Sequence, residues 1–506
     1  MTAIDPAGTV AVVGAGTMGQ GIAQVALTAG HPVRLYDAAP GRAEEAARAI
    51  AARLGRLVDK GRLDAAGRDA ALARLRPAAR LAELADSALV IEAIVEQLPA
   101  KQKLFAELES VVPDACLLAT NTSSLSVTAV AGGLRLPGRF VGLHFFNPAP
   151  LLPLVEVVRG FATDAAAAER AAATVAAWGK TAVTCADTPG FIVNRVARPF
   201  YAEAFRVYEE GGADPATIDA VLRECGGFRM GPFELTDLIG QDVNNAVTRS
   251  VYEAFFHDPR FTPSLAQQRL VEAGLLGRKT GRGWFAYGEG AERPEPATAE
   301  PCEPPAEIGW HGKAPRICAP LRDMIEEAGI KVVRDRTPYE PGWYVPLPDG
   351  AMLTLTGGEA ATPENGGTHI YFDLAHDYRT CTRIALAPSE NASARDVEAA
   401  VGLFQALGKK VSVIADVPGL IVARTVAMLV DFAEDAAGRG VASREDIDTA
   451  MRLGVNYPRG PLEWGREIGL TCVRGILWGL AQDYPGGRYD PSLSLRRRAA
   501  VEESLL

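Results

Sequence analysis

Histidine is scarce in this chain, with six in 506 residues, so imidazole chemistry has few places to sit. The seven cysteines (116, 185, 225, 302, 318, 381 and 472) are odd in number and contain no CxxC pair. That pattern excludes a disulfide framework and a zinc ribbon, and no other metal cluster is visible. No apolar run approaches the roughly 18 residues of a membrane span, and no basic segment precedes an apolar core in MTAIDPAGTVAVVG. A reducing cytoplasm without a membrane partner is therefore the expected setting. Positive charge is also in deficit: 52 Lys and Arg against 62 Asp and Glu leave a net charge of −10. Bulk electrostatic binding of nucleic acid is excluded, while a local basic patch stays free to hold a phosphorylated ligand.

What is present is a soluble globular composition, 48% hydrophobic and 23% charged, in a chain long enough for three or four domains. TVAVVGAG, PVRLYD, ALVIEAI, CLLATN and RFVGLHFF read as strands, and residues 41–60 and 98–111 as helices. Strands separated by helices predict βαβ units and a Rossmann-like, mostly parallel α/β domain over residues 1–186. Residues 187–288 read as all-helical, closing in GRKTGRGWFAYG, a glycine-rich turn feeding a short aromatic strand. Residues 289–307 are proline- and glutamate-rich and read as a linker.

Beyond the linker the plan repeats. Residues 308–415, with KVVRD, AMLTLTG, HIYFDL and KVSVIAD as strands, read as a degenerate α/β domain, and 416–506 as a second helical domain. DTPGFIVNR (187–195) matches DVPGLIVAR (416–424) at an offset of 229. The offset holds through Ile218-Asp219 against Ile447-Asp448 and Gly231-Pro232 against Gly460-Pro461. After one deletion, RFTPSL (260–265) matches RYDPSL (488–493). The chain is an internal duplication of a two-domain unit.

The first chemical motif is Gly14-Ala15-Gly16-Thr17-Met18-Gly19, which follows the strand VAVV and opens the helix GIAQVALTAG. Gly14 permits the tight turn, Gly16 admits a pyrophosphate to the backbone, and Gly19 lets helix and strand approach. The pyrophosphate would rest on free N–H groups of that helix. Asp37 ends the next strand, where a carboxylate accepts from the adenosine ribose and repels a 2′-phosphate. NAD is the expected cofactor, in preference to NADP.

Hydride transfer from an alcohol also needs a base for the hydroxyl proton. His144, in GLHFFNPAP, ends a strand of the same domain, and twelve residues later Glu156 lies within the apolar strand LLPLVEVV. A carboxylate there needs a partner. Pairing with His144 would fix the imidazole tautomer and stabilise the imidazolium. Asn147, Ser123 in TNTSSL and Asn194 in TPGFIVNR are further polar groups with apolar flanks.

These blocks, with VIEAIVE, MGPFELTDLIG and KTGRGWFAY, occur in order through residues 9–287 and resemble the 3-hydroxyacyl-CoA dehydrogenases. The resemblance implies His144 as catalytic base, Glu156 as its orienting partner, and Ser123 and Asn194 holding the substrate oxygen. It implies Glu96 and Lys101 at the nicotinamide end, with Asn147 nearby and Lys279 reaching in. Arg53, Arg56 and Lys60 share a helix face, and the family's lysine near the CoA nucleotide matches Lys60. Two alternatives remain: a non-catalytic NAD-binding protein, like the lens crystallin that resembles this family, and a dehydrogenase of another hydroxy acid. The 6-phosphogluconate enzymes among the latter use a lysine base.

At the offset of 229, His144 falls on Asp373, Glu156 on Ala385 and Asn194 on Ala423, and residues 308–415 contain no GxGxxG. This half-degenerate layout resembles the long bacterial members associated with phenylacetate catabolism, which act on 3-hydroxyadipyl-CoA or 3-hydroxybutyryl-CoA. The second half is expected to be an inert partner, with residues 187–290 and 416–506 packing as an internal pseudo-dimer in place of the shorter members' homodimer. Assembly beyond that could be monomer or homodimer.

Overall fold

The computed structural model describes residues 2–335, 342–363 and 366–504. The chain builds two compact bodies: Met1–Arg195 with Arg439–Val455, and Val196–Gly438 with Asn456–Leu506.

In the first body, β1 (Thr9–Val13), β2 (Val33–Tyr36), β3 (Leu75–Ala78), β4 (Ser87–Glu92), β5 (Leu117–Thr120), β6 (Phe140–Phe145), β7 (Leu154–Arg159) and β8 (Thr181–Ala186) form one sheet. Its order is β3-β2-β1-β4-β5-β6-β7-β8. Every pair is parallel except β6 with β7, whose antiparallel register sets His144 opposite Glu156. β1, β5 and β6 are buried along their whole length, which is why they read as continuous apolar runs rather than alternating ones. Strand order reverses between β1 and β4, so the crevice at their carboxyl ends is where ligands of such sheets lie.

The segment that the second repeat lends to this body is short. The helix Arg444–Gly454 lies against β7 and β8, and the Ala186 N–H donates to Val441 O at 2.7 Å. Gly454 is needed there: a Cβ would stand 2.8 Å from Leu154 and 3.0 Å from Val193.

In the second body, β9 (Glu307–Trp310) and β10 (Lys331–Arg334) run parallel on either side of the helix Pro320–Glu327. A second sheet holds β11 (Val345–Pro346), β12 (Met352–Leu355), β13 (His369–Phe372), β14 (Arg383–Pro388) and β15 (Lys410–Val413), in that order. From β12 to β15 the pairings are parallel, antiparallel, parallel, the sequence of directions seen from β5 to β8. The reduced sheet thus keeps the half of the Rossmann plan that lies away from the glycine loop. The helix Pro215–Glu224 packs on β14, and the Ala415 N–H donates to Gly212 O at 3.0 Å. That bond is the Ala186–Val441 bond with both residue numbers displaced by 229 and the repeats exchanged. Each sheet carries a helix from the other repeat.

The duplication is also visible in backbone detail. The helices Pro232–Ile239 and Gln241–Ala254 recur as Pro461–Ile468 and Leu470–Asp483 at an offset of 229. Phe191 at φ 50° recurs as Leu420 at φ 48°. Between the repeats, the helix Arg198–Glu209 packs on Val422–Gly438. At that contact Glu203 accepts from Arg488 at 2.6 Å, Arg424 at 3.2 Å and the Tyr489 hydroxyl at 2.8 Å, all four groups buried. Burial alone would raise the Glu203 pKa, but the Arg488 and Arg424 guanidiniums override it and hold it at about 2.

Two sequence expectations need adjustment. The aromatic segment after GRKTG is no strand: Gly277, Arg282 and Ala286 make only isolated bridges. Its amides go to a side chain instead, with Trp284 N–H on Asp237 Oδ1 at 3.0 Å and Phe285 N–H on Oδ2 at 2.9 Å. The linker is strapped down rather than free. Ala299 N–H donates to Val411 O, Cys302 N–H donates to Gln405 Oε1, and Gly402 lacks the Cβ that would strike Glu303 O at 2.3 Å. No helix among the described residues is long and apolar enough to cross a membrane.

Candidate active site

The glycine loop at the end of β1 has the shape a dinucleotide requires. Gly14 has φ +103°, and a Cβ on it would stand 2.4 Å from Ala93 O. A Cβ on Gly19 would lie 1.8 Å from Gly14 O, whereas Gly16 faces open space with no atom within 4 Å. Gly16 is the N-cap of the helix Thr17–Thr28 and supplies no side-chain cap. The first-turn N–H groups, at Thr17, Met18 and Gly19, are left for an anion. Asp37 Oδ2 accepts the Ala15 N–H at 2.8 Å and Oδ1 the Ala39 N–H at 2.9 Å, so the acid at the end of β2 also braces the loop.

At the end of β4 a buried lysine joins two acids. Lys101, 1% exposed, donates to Glu92 Oε1 at 2.6 Å and pairs with Glu96 Oε2 at 3.2 Å. Glu92 also accepts the Ile94 N–H and the Thr120 hydroxyl. Glu96 Oε1 accepts the Thr122 hydroxyl at 2.6 Å, the Ser123 N–H at 3.0 Å and the Ser124 hydroxyl at 2.9 Å. Burial opposes its ionisation, but Lys101 and these donors win and lower its pKa. The TNTSSL turn that presents Ser123 is therefore organised by Glu96 and, through Lys101, by Glu92. Sequence reasoning missed Glu92, although a carboxylate inside VIEAIVE carries the same signal as Glu156 inside LLPLVEVV.

His144 and Glu156 meet directly across β6 and β7, Nδ1 to Oε2 at 2.6 Å. Glu156 is fully buried, and its other oxygen accepts the Ile192 and Val193 N–H groups at 3.0 and 2.9 Å. The Phe146 and Phe191 rings flank the imidazole at 4.5 and 5.8 Å. Asn194 follows Val193 in the same turn and donates to Ser123 O at 3.4 Å. Four residues spread over 71 positions are brought to one place.

The remaining expected residues are placed less tightly. Asn147 is exposed and precedes a cis proline. The loop after it is held by Lys180, another group not anticipated, whose ammonium donates to Ala149 O at 2.6 Å and Leu152 O at 2.8 Å. Arg53 is tied to the first helix: its Nε and Nη1 donate to Gln24 and Gln20 at 3.1 and 3.0 Å. Arg56 and Lys60 stay exposed. Lys279 belongs to the second body, where it pairs with Asp242 at 2.6 Å. No group of His, Cys, Asp and Glu suited to a metal occurs among the described residues.

This arrangement has relatives. The family model described as the 3-hydroxyacyl-CoA dehydrogenase NAD binding domain matches residues 9–188. The C-terminal domain of the same family matches twice, at 190–287 and 419–503. The 3-hydroxybutyryl-CoA dehydrogenase reduced Rossmann-fold domain matches 353–418. The chain is 44% identical to 3-hydroxyadipyl-CoA dehydrogenase of Escherichia coli K12 over 502 residues, 98% of each protein. It is 42% identical to a Mycobacterium tuberculosis 3-hydroxybutyryl-CoA dehydrogenase over 283 residues, 55% of this chain and 98% of that one. The crystal structure of 3-hydroxybutyryl-CoA dehydrogenase from E. coli K12 superposes with a TM-score of 0.89 at 42% identity, over 99% of this chain and 100% of that one.

Proposed function

Because the chain belongs to the 3-hydroxyacyl-CoA dehydrogenase family of NAD-dependent oxidoreductases, we propose that it oxidises short (S)-3-hydroxyacyl-CoA thioesters to 3-oxoacyl-CoA with His144 as the base. The substrates that suit it are 3-hydroxyadipyl-CoA and 3-hydroxybutyryl-CoA, those in its relatives' names. The observation that carries the reading is the His144–Glu156 bond of 2.6 Å, with the second Glu156 oxygen already committed to two amides. A carboxylate so fixed keeps the Nδ1 proton on the imidazole and leaves Nε2 to take the 3-hydroxyl proton. Glu156 then stabilises the imidazolium that results. Ser123 and Asn194 orient the substrate oxygen toward Nε2.

NAD, when bound, supplies the acceptor for the hydride leaving C3. The open Gly16 face and the uncapped helix fit its pyrophosphate, which Gly14, Gly16, Thr17, Met18 and Gly19 would hold. Asp37 would take the adenosine ribose, and Glu96, backed by Lys101, would face the nicotinamide end with Asn147. Arg56 and Lys60 are the groups left exposed for the CoA phosphates, with Arg53 behind them.

The five segments 1–186, 187–288, 289–307, 308–415 and 416–506 are best read as units of descent, and the second helical unit as a built-in, catalytically inert partner. The buried Glu203–Arg424–Arg488 network and the exchanged helices support that pseudo-dimer. Seven free thiols suit a reducing cytoplasm. Steady-state NADH formation from the two thioesters tests the activity, and absence of turnover on both would refute it. His144→Gln tests the base, since a variant retaining most of its kcat would exclude this role.

A further inference from the structure

Glu92 is fully buried, as Glu156 is, but its side-chain bonds go to none of the groups that handle the substrate oxygen. Oε1 accepts from Lys101 at 2.6 Å and from the Ile94 N–H at 2.7 Å, and Oε2 accepts from the Thr120 hydroxyl at 2.7 Å. Lys101 spans from there to Glu96 Oε2 at 3.2 Å. The row runs from a closed end to an open one, with the Glu92, Lys101 and Glu96 side chains 0%, 1% and 36% exposed. Burial works against the charge on Glu96, yet Lys101 and the donors of the 122–124 turn hold its pKa below the ordinary value. Counted as ions, two carboxylates and one ammonium sum to −1. Glu96 with Lys101 alone would sum to zero, so the charge presented at the open end depends on Glu92. An ion pair as deep as Glu92–Lys101 is weak evidence for stability, because an apolar pair of similar volume often serves as well.

The place of this row in the first body decides what feels its charge. On one side the glycine loop rests against it: a Cβ on Gly14 would stand 2.4 Å from Ala93 O and 3.1 Å from Ile94 N, and the Ala93 N–H donates to Val13 O at 2.7 Å. On the other side stands the substrate turn, whose Ser123 N–H donates to Glu96 at 3.0 Å and whose Asn121 N–H donates to Glu92 O at 2.8 Å. Asn121 Oδ1 in turn accepts the N–H of Phe145, the neighbour of His144, at 2.9 Å. A dinucleotide with its pyrophosphate on the helix after Gly16 has to bring its hydride-accepting ring to the carbon beside His144. Segment 92–96 joins those two places. The oxidised nicotinamide ring carries one positive charge and the reduced ring none.

We propose that Glu92, acting through Lys101, is a positioning residue that keeps the Glu92–Lys101–Glu96 row at a net charge of −1 and so shifts cofactor binding toward oxidised NAD relative to NADH. This rests on the reading of the chain as an NAD-dependent dehydrogenase with Glu96 at the nicotinamide end. In the direction of oxidation the row attracts the cofactor while its ring is charged and loosens its hold once the hydride has neutralised that ring. A row of zero net charge would lack this discrimination.

The test measures Kd for both cofactor forms on the full-length enzyme, NADH by its fluorescence and NAD by displacement of NADH, and follows Kd(NAD)/Kd(NADH). Glu92→Gln keeps the shape and an acceptor for Lys101 and Ile94 but loses the charge. Its ratio should rise by on the order of tenfold, the scale of one unit charge felt across several Å in a partly shielded site. Glu92→Gln combined with Lys101→Met removes one charge of each sign and returns the row to −1, so its ratio should come back to within about threefold of wild type. Glu96→Gln drops the same charge at a part-exposed position and should raise the ratio too, which carries the test if neither Glu92 variant folds. Because the ratio compares two ligands of nearly one shape on the same protein, a general loosening of the fold leaves it in place. A ratio within about threefold of wild type in Glu92→Gln or in Glu96→Gln would overturn the proposal, as would one that stays raised in the double variant. A wild type that binds neither cofactor form would overturn the NAD assignment together with the proposal. Binding of both forms with an unmoved ratio refutes the proposal alone.

Discussion

The two repeats solve one structural problem with a carboxylate placed differently, and the difference separates packing from chemistry. In both, a buried acid collects the amides of the turn that opens the helical region: Glu156 takes Ile192 and Val193, and Asp373 takes Ile421 and Val422, the same positions displaced by 229. In the first repeat the acid comes from β7 and serves those amides with one oxygen, leaving the other for His144. In the second, Asp373 stands where His144 would be, opposite Ala385, and its second oxygen is filled by the Leu374 and Ala423 amides. No oxygen remains to orient a base, and there is no base to orient. The turn has its acid in either repeat, and the catalysis proposed for the first would rest on the oxygen the turn leaves over.

The sharpest break of that comparison is His144→Gln, which should lower kcat by roughly a hundredfold to ten-thousandfold while NAD affinity, followed by NADH fluorescence, stays nearly constant. Glu156→Gln should slow turnover too and flatten the pH profile. Next in size is Glu203→Gln, which leaves Arg424 and Arg488 buried beside a neutral group. It should cost about 3 kcal/mol in urea unfolding. Glu203 has a depressed pKa, so its stabilisation is present above its ordinary value of 4.5 and is lost as pH falls toward about 2. An unchanged midpoint at neutral pH would show that the contact between repeats carries little.

Cofactor choice sharpens the comparison at the sheet's other end. Asp335 follows β10 as Asp37 follows β2, but His311 stands after β9 where Gly14 follows β1, and its Nδ1 lies 3.1 Å from Asp335. The acid survives where the glycine is lost, so an acid alone does not make a nucleotide site. In the first repeat Asp37 should favour NAD over NADP by at least about 2 kcal/mol, read as a kcat/KM ratio. Equal ratios would discount its role and direct attention to Arg42.

The smallest effect concerns Asp373 itself. Burial raises its pKa to about 6 against the pull of four amides, so its contribution is complete below about pH 4 and lost as pH rises through 6. Asp373→Asn should remove up to about 3 kcal/mol of pH dependence in that interval, measured as the difference in unfolding free energy from wild type, and should leave kcat alone. A parallel pH dependence in both proteins would contradict the raised pKa.

Much of this could be read in the sequence because the informative residues break a pattern. Gly14, Gly16 and Gly19 interrupt a strand–helix junction, and Glu156 interrupts an apolar strand. The 229-residue offset, read from matches such as Gly231-Pro232 with Gly460-Pro461, carries the helix Pro232–Ile239 onto Pro461–Ile468. Glu92 interrupts an apolar strand as Glu156 does and was missed, and the pairing of Lys101 with it, nine positions apart, appears only in the structure. Asp237 was invisible because nothing local says that a helical aspartate will receive the amides of a segment 47 positions away. The exchange of Pro215–Glu224 and Arg444–Gly454 between sheets was also silent: a helix's apolar stripe states that it must be covered and not by which repeat.

That exchange changes how the protein responds to dilution. Subunits that complete one another by association come apart when their concentration drops below the dissociation constant. Helices tethered on one chain meet at an effective concentration set by the connecting segment, of millimolar order for short flexible links, whatever the number of molecules in the cell. A single polypeptide that carries its own counterpart should therefore hold constant specific activity down to the lowest concentrations an assay can reach. On the proposed reading, it also frees the second copy from any need to catalyse, because covalent linkage keeps it on the same chain as the first.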